Sequence, residues 1–217
     1  MSRFLQSAAP SGLYRAVPAK RARIAQVICS IGMACSVTFA AELPSDVHPS
    51  LTLRVPDLAG HVKDALAANG AKAILFVFLS VDCPICNSYS PNLRRIASEF
   101  GKQGVVVRLV FPDPDESRER VQQHLKEFNL PFETYLDHER VLTLAVGAQV
   151  TPEAAVFVPG RGWVYRGRID DRFMGFGKAR PQPTSEEVKD VLTAVVTGKP
   201  VTVKSARPIG CSIAPLP

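Results

Sequence analysis

The chain has 217 residues, of which 46% are hydrophobic and 21% charged. This composition fits one globular domain with additional segments at its ends and excludes a low-complexity polymer. The formal net charge is +6, but five of the 26 basic residues and none of the acids lie in residues 1–41. Beyond them 21 bases face 20 acids, so the body of the chain is near neutral and the charge argues against a nucleic-acid partner.

Lys20-Arg21-Ala22-Arg23 precedes an apolar run from Ile24 to Ala41 that ends in small residues. Basic flank, apolar stretch and small-residue exit are the parts of a secretory signal. Residues 1–41 are therefore expected to be a signal peptide cleaved near Ala40 or Ala41, with a retained anchor as the alternative. Gln26, Ser30, Ser36 and Thr38 interrupt the run and make it a poor membrane span, so an uncleaved signal is the one expected link to a membrane. Cys29 and Cys35 leave with this segment. The exported, periplasmic chain then keeps Cys83, Cys86 and Cys211, and in an oxidising compartment such thiols serve catalysis or structure.

Residues 42–50 contain two prolines and read as a linker. Leu51–Val55 alternates weakly as a short edge strand, and Leu58–Asn69, with Val62, Leu66 and Ala67 on one side and Gly70 as its stop, predicts a helix. Ile74–Leu79 is an apolar, branched run that predicts a buried strand. Leu93, Ile96, Ala97 and Phe100 follow at helical spacing up to Gly101. Val105–Phe111 predicts a second buried strand. Asp113-Pro114-Asp115-Glu116 carries a helix start, with Asp113 as cap and the helix running to Phe128. Phe132–Leu136 predicts a strand, and Asp137 a cap for a short helix bearing Val141, Leu142 and Val146 and closed by Gly147. Ala154–Val158 and Trp163–Ile169 form a hairpin around Pro159-Gly160-Arg161-Gly162. Thr184 is expected to cap a last helix that ends at Gly198 and Pro200. Residues 199–217 form a C-terminal tail containing Cys211, expected to be mobile. Strands alternating with helices, then a hairpin, give an α/β domain with a mixed central sheet flanked by helices.

Cys83 and Cys86 stand two residues apart where a strand turns into a helix. The free N–H groups and partial positive charge of a helix start favour a thiolate there. Cys83-Pro84-Ile85-Cys86 with Pro91 five residues on resembles the C-x-x-C-x4-P pattern of thioredoxin-like proteins, and Val150-Thr151-Pro152 before the hairpin resembles their cis-proline loop. The resemblance runs from about Leu51 to Gly198. The helix after Asp113, the phrase Leu136-Asp137-His138-Glu139 and the closing Tyr165–Arg172 and Gly210-Cys211-Ser212-Ile213 resemble the exported redoxin branch (alkyl hydroperoxide reductase/thiol-specific antioxidant and TlpA-like domains).

The resemblance implies a thioredoxin-like fold over 51–198 with an inserted βα element, and a thiol–disulfide oxidoreductase without cofactor or metal. Cys83 is then the attacking thiolate and Cys86 the resolving thiol, with Thr151 and Pro152 docking the partner. Cys211 is a possible additional redox thiol. The expected partners are a protein disulfide or dithiol and an upstream electron donor or acceptor. Asp82, where thioredoxins carry Trp, is expected to raise the Cys83 pKa. A peroxiredoxin-type peroxidase is the alternative, supported by Ser80 three residues before Cys83 but lacking the proline that Phe76 replaces. A copper or zinc module built on Cys83 and Cys86 is a further, non-enzymatic one. His124 is expected to be a partly buried structural residue, His138 to be exposed, and Arg166–Arg172 to be a solvated, salt-bridged edge.

Overall fold

The computed structural model describes residues 52–214; the expected signal peptide, the linker, Cys29 and Cys35 lie outside them. The described chain runs β1 (Arg54–Pro56), β2 (Val62–Asp64), β3 (Ala73–Phe78), α1 (Pro84–Gly101), β4 (Val105–Phe111), α2 (Arg118–Glu127), β5 (Glu133–Leu136), α3 (Val141–Val146), β6 (Val150–Thr151), β7 (Glu153–Val158), β8 (Gly162–Gly167), β9 (Phe173–Gly175), β10 (Lys178–Ala179), α4 (Glu187–Val196), β11 (Ser205–Ala206) and β12 (Cys211–Ser212).

Six strands form the central sheet in the order β11-β8-β7-β3-β4-β5. It is mixed: β3 pairs parallel with β4 and antiparallel with β7, while β11 joins the edge parallel to β8. Strand β3 reads as an unbroken apolar run because both of its faces are covered. Ala73, Leu75, Val77 and Leu79 meet Leu93, Ile96 and Phe100 of α1 and Val188, Val191 and Leu192 of α4. Ile74, Phe76 and Phe78 turn the other way, toward Leu53, Val55, Leu142 and the half-buried Trp163. The first of these layers buries the side chains that hold α1 against the sheet and so fixes the position of its first turn.

Four expectations need correction. No helix forms over 58–69. The Asp57 carboxylate accepts the N–H groups of Ala59 and His61 at 2.9 and 2.8 Å, and the Asp64 carboxylate accepts those of Leu53 and Leu66. These side chains take donors that a helix needs, Gly60 adopts φ +89°, and the segment folds back as β2 antiparallel to β1. Helix α2 starts at Arg118 with Ser117 as its cap, not at Asp113. Asp113 instead closes a turn by accepting from Asp115 N–H, and Glu116 points inward. Thr184 does not cap α4: its hydroxyl and N–H both go to the Asp171 carboxylate. Lastly, the tail is paired structure, with β11 on β8 and β12 on β6.

The other predicted strands and helices form within a few residues of their expected ends. Asp137 does hold the start of α3, accepting from Leu142 N–H, Thr143 N–H and the Thr143 hydroxyl, and Gly147 ends it at φ +74°.

Candidate active site

Helix α1 begins at Pro84, whose missing N–H would have had no partner in the first turn. Cys83 is its N-cap residue, in extended conformation, and its carbonyl accepts the N–H of Asn87 at 3.2 Å. Cys83 and Cys86 are each 1% exposed and Cys211 is half-buried; all three are free thiols. Pro91 lies inside the same helix. The Thr151–Pro152 peptide is cis. The Thr151 carbonyl lies 3.1 Å from the Cys83 sulfur, and the residues expected to carry the chemistry, Cys83, Cys86, Thr151 and Pro152, meet at one place.

The thiols are strongly differentiated. Cys83 is held down to about 5 from an ordinary 9.0, mainly because the Cys86 thiol donates a hydrogen bond to its thiolate; burial opposes this, and the Cys86 N–H and then Cys211 add to it. Burial, reinforced by the neighbouring Cys83 thiolate, pushes Cys86 well up. Cys211 is pushed up to about 11 by the same two causes. The geometry thus supplies one thiolate and two thiols at neutral pH. As a thiol, Cys83 donates to Thr151 O; as a thiolate it accepts from its sulfur neighbours.

Asp82 does not act as expected. Its carboxylate is 76% exposed and meets the Arg120 guanidinium at 2.9 Å. Pairing and solvent screening blunt its field, and it is not among the main causes of the Cys83 shift.

Three supports escaped the sequence reading. Glu116, 1% exposed, accepts the Ser80 hydroxyl at 2.7 Å and Val81 N–H at 2.8 Å, pinning the corner that delivers Cys83. Burial raises its pKa. Asn87, directly after Cys86, bonds His124 Nε2 at 2.8 Å. His124 is buried between Phe111 and Phe128, and burial lowers its pKa, in keeping with the expected structural role. Asp170 accepts Tyr89 Oη at 2.5 Å and Asn92 at 2.9 Å, tying α1 to the segment after β8. Glu116 carried a sequence signal that resembled a helix cap, and the burial of His124 was expected, but none of the three contacts to the site was.

The Arg166–Arg172 run is accordingly not a solvated edge. Asp170 and Asp171 are buried, Arg168 pairs with buried Glu187, and Arg166 donates to Gly147 O at 2.6 Å. These charges close the structure around α1, α3 and α4. His138 is half-buried rather than exposed.

A mixed sheet with flanking helices, a C-x-x-C pair at the first turn of α1 and a cis-proline loop against it define a thioredoxin-like protein. The Redoxin family model matches residues 44–164, more than half of the chain, and the chain belongs to that family. Among solved structures it is similar to a hypothetical protein from Sinorhizobium meliloti, with TM-score 0.63 and 26% identity, covering 76% of this chain and 91% of that one. An uncharacterized conserved protein from Geobacillus kaustophilus gives TM-score 0.65 at 24% identity, covering 77% and 90%. The dsbF protein of Mycobacterium tuberculosis, in mixed oxidised and reduced forms, gives TM-score 0.50 at 17% identity, covering 69% and 96%, a likeness of fold. No curated protein matches the chain. No helix among the described residues is long and apolar enough to cross a membrane.

Proposed function

We propose that the protein is an exported thiol–disulfide oxidoreductase that exchanges disulfides with a protein partner. The observation that carries this reading is the Cys83/Cys86 pair at the first turn of α1 with the Thr151 carbonyl of the cis-proline loop 3.1 Å from the Cys83 sulfur; the same surroundings hold Cys83 down to about 5 and push Cys86 well up. A low-pKa thiolate attacks a partner disulfide, forming a mixed disulfide and releasing the partner's second sulfur as thiolate, which takes up a proton. Cys86 then loses its proton and attacks the Cys83 sulfur. The partner leaves as a dithiol and Cys83–Cys86 holds the disulfide, two electrons having passed to the partner. An upstream dithiol restores the reduced pair; run in reverse, the same steps oxidise a partner. Thr151 and Pro152, beside the Cys83 sulfur, form the wall against which the partner strand docks.

The peroxidase alternative gains no support from Ser80, whose hydroxyl is spent on Glu116. Among the described residues no group of three or more His, Cys, Asp or Glu side chains is arranged to hold an ion. Reduction of insulin disulfides with a recycling dithiol tests the proposal. Cys83→Ser is expected to lower turnover at least 100-fold, and undiminished turnover by that variant would overturn it.

A further inference from the structure

We propose that the C-terminal tail is an internal occupant of the partner groove, and that Cys211 exchanges disulfides with Cys83 in place of a partner cysteine. The proposal rests on the oxidoreductase reading of Cys83 and adds a regulator built into the chain.

The tail reaches the site as a strand. Cys211 pairs with Thr151 and Ser212 with Val150, antiparallel, and Ile213 N–H continues the ladder to Gln149 O at 2.9 Å. An extended segment added to an exposed backbone edge is the geometry by which a peptide partner binds. Here the chain's own residues make that ladder, on the loop that stands against Cys83. The Cys211 sulfur lies 3.1 Å from the Cys83 sulfur, where an incoming cysteine has to be.

The path is held along its length. Arg166 N–H donates to Lys204 O at 3.1 Å and Arg168 N–H to Ala206 O at 3.0 Å. Arg140 donates to Ala214 O. Ile209 packs on one core layer and Ile213 on the other. Two glycines admit the close approach, one on each side. A Cβ at Gly210 would strike the Thr151 carbonyl, and a Cβ at Gly167 would strike the Ala206 backbone.

The exchange balances without an outside oxidant. Starting from a Cys83–Cys86 disulfide, the Cys211 thiol loses its proton and its sulfur attacks that of Cys83. The Cys83–Cys86 bond breaks, Cys86 leaves as a thiolate and takes up a proton, and a Cys83–Cys211 bond forms. One disulfide replaces another with no net transfer of electrons. The Cys83–Cys211 bond opens when Cys86 attacks Cys83 and Cys211 leaves as a thiolate that takes up a proton, or when an external dithiol reduces the bond to two thiols and is itself oxidised. A partner must displace residues 211–213 before it reaches Cys83.

The test uses the full chain with Cys29 and Cys35 replaced by Ser. Cys86→Ser in that background is oxidised with glutathione disulfide, alkylated and digested with trypsin. The expected result is a monomer in which residues 73–94 are linked to residues 205–217 in more than half of the molecules. Recovery of Cys83 as a glutathione adduct with Cys211 alkylated, or a link found only in dimers, overturns the exchange. Groove occupancy is read separately with Cys86 in place. Gly210→Val and deletion of residues 208–217 are expected to speed mixed-disulfide formation between Cys83 and a disulfide-bearing peptide at least tenfold. A rate within twofold of the parent in folded variants overturns the occupancy. The link is read by mass and needs no turnover. Its absence in an enzyme whose insulin activity depends on Cys83 therefore removes this inference alone, whereas activity that survives Cys83→Ser removes the reading beneath it.

Discussion

Lowering the pH of the reduced protein isolates the Cys83 thiolate. In the fold this thiol titrates at about 5, against 9.0 for an ordinary thiol. At pH 7 it is roughly 99% thiolate where an ordinary thiol is about 1%. Between those two values the unfolded chain holds a proton that the folded chain has released, so stability rises with pH. The contribution is lost as the pH falls through 5, grows by about 1.4 kcal/mol per unit above it, and levels off near 9. Between pH 5 and pH 7 this amounts to about 2–3 kcal/mol. The Cys83–Cys86 disulfide form has no Cys83 thiol to titrate, so the difference between reduced and oxidised stability cancels most other ionisable groups. Urea denaturation of both forms at pH 5, 6 and 7 should show that difference moving by about 2–3 kcal/mol in favour of the reduced protein. In the chain with Cys29 and Cys35 replaced by Ser, absorbance at 240 nm should show one thiolate appearing near pH 5 and the other two only at alkaline pH. Cys86→Ala removes the largest cause of the shift and should move the first step upward by about one unit or more. A pH-independent difference, with no thiolate absorbance until above about pH 8, would refute the assignment of Cys83 as the poised nucleophile.

Three further outcomes are expected. Glu116→Ala strands the Ser80 hydroxyl and Val81 N–H and should lower stability by about 1–3 kcal/mol in urea denaturation. Asp82→Ala should change stability by less than about 0.5 kcal/mol and leave the 240 nm titration of Cys83 where it was, because the Arg120 pair is exposed. Gly167→Ala places a Cβ into the Ala206 backbone at a residue with φ +151°. It should lower the thermal midpoint and remove hydrogen-exchange protection at Arg166 and Arg168 N–H before the central strands open.

The central strands and α1 were legible because their burial is periodic or continuous. Strand β3, covered on both faces, is a plain apolar run, and Leu93, Ile96 and Phe100 repeat at helical spacing. The cysteine pair and Thr151-Pro152 were legible because each is a short local pattern. What sequence reasoning missed is non-local. The 58–69 segment has helical spacing, but Asp57 and Asp64 take the backbone donors. Glu116 carries the local signature of a helix cap, yet its carboxylate is claimed by Ser80 and Val81, 35 residues and more away. Cys211 was named as a possible additional redox thiol, but the pairing that sets it against Cys83, 128 residues back along the chain, was not, because the strand that delivers it is only two residues long, too short to show a period.

That 128-residue separation has a consequence for the chain as a polymer. In the folded domain a Cys83–Cys86 bond and a Cys83–Cys211 bond are both local links between sulfurs that already touch or nearly so. In the unfolded chain the first closes a loop of four residues, while the second ties most of the domain into a ring. A chain-entropy estimate gives about 2 kcal/mol of restriction for the short loop and about 5 kcal/mol for the long one. The proposed exchange of one bond for the other would thus change how far the molecule can come apart when it opens. Heating resistance becomes a record of which cysteine last held Cys83.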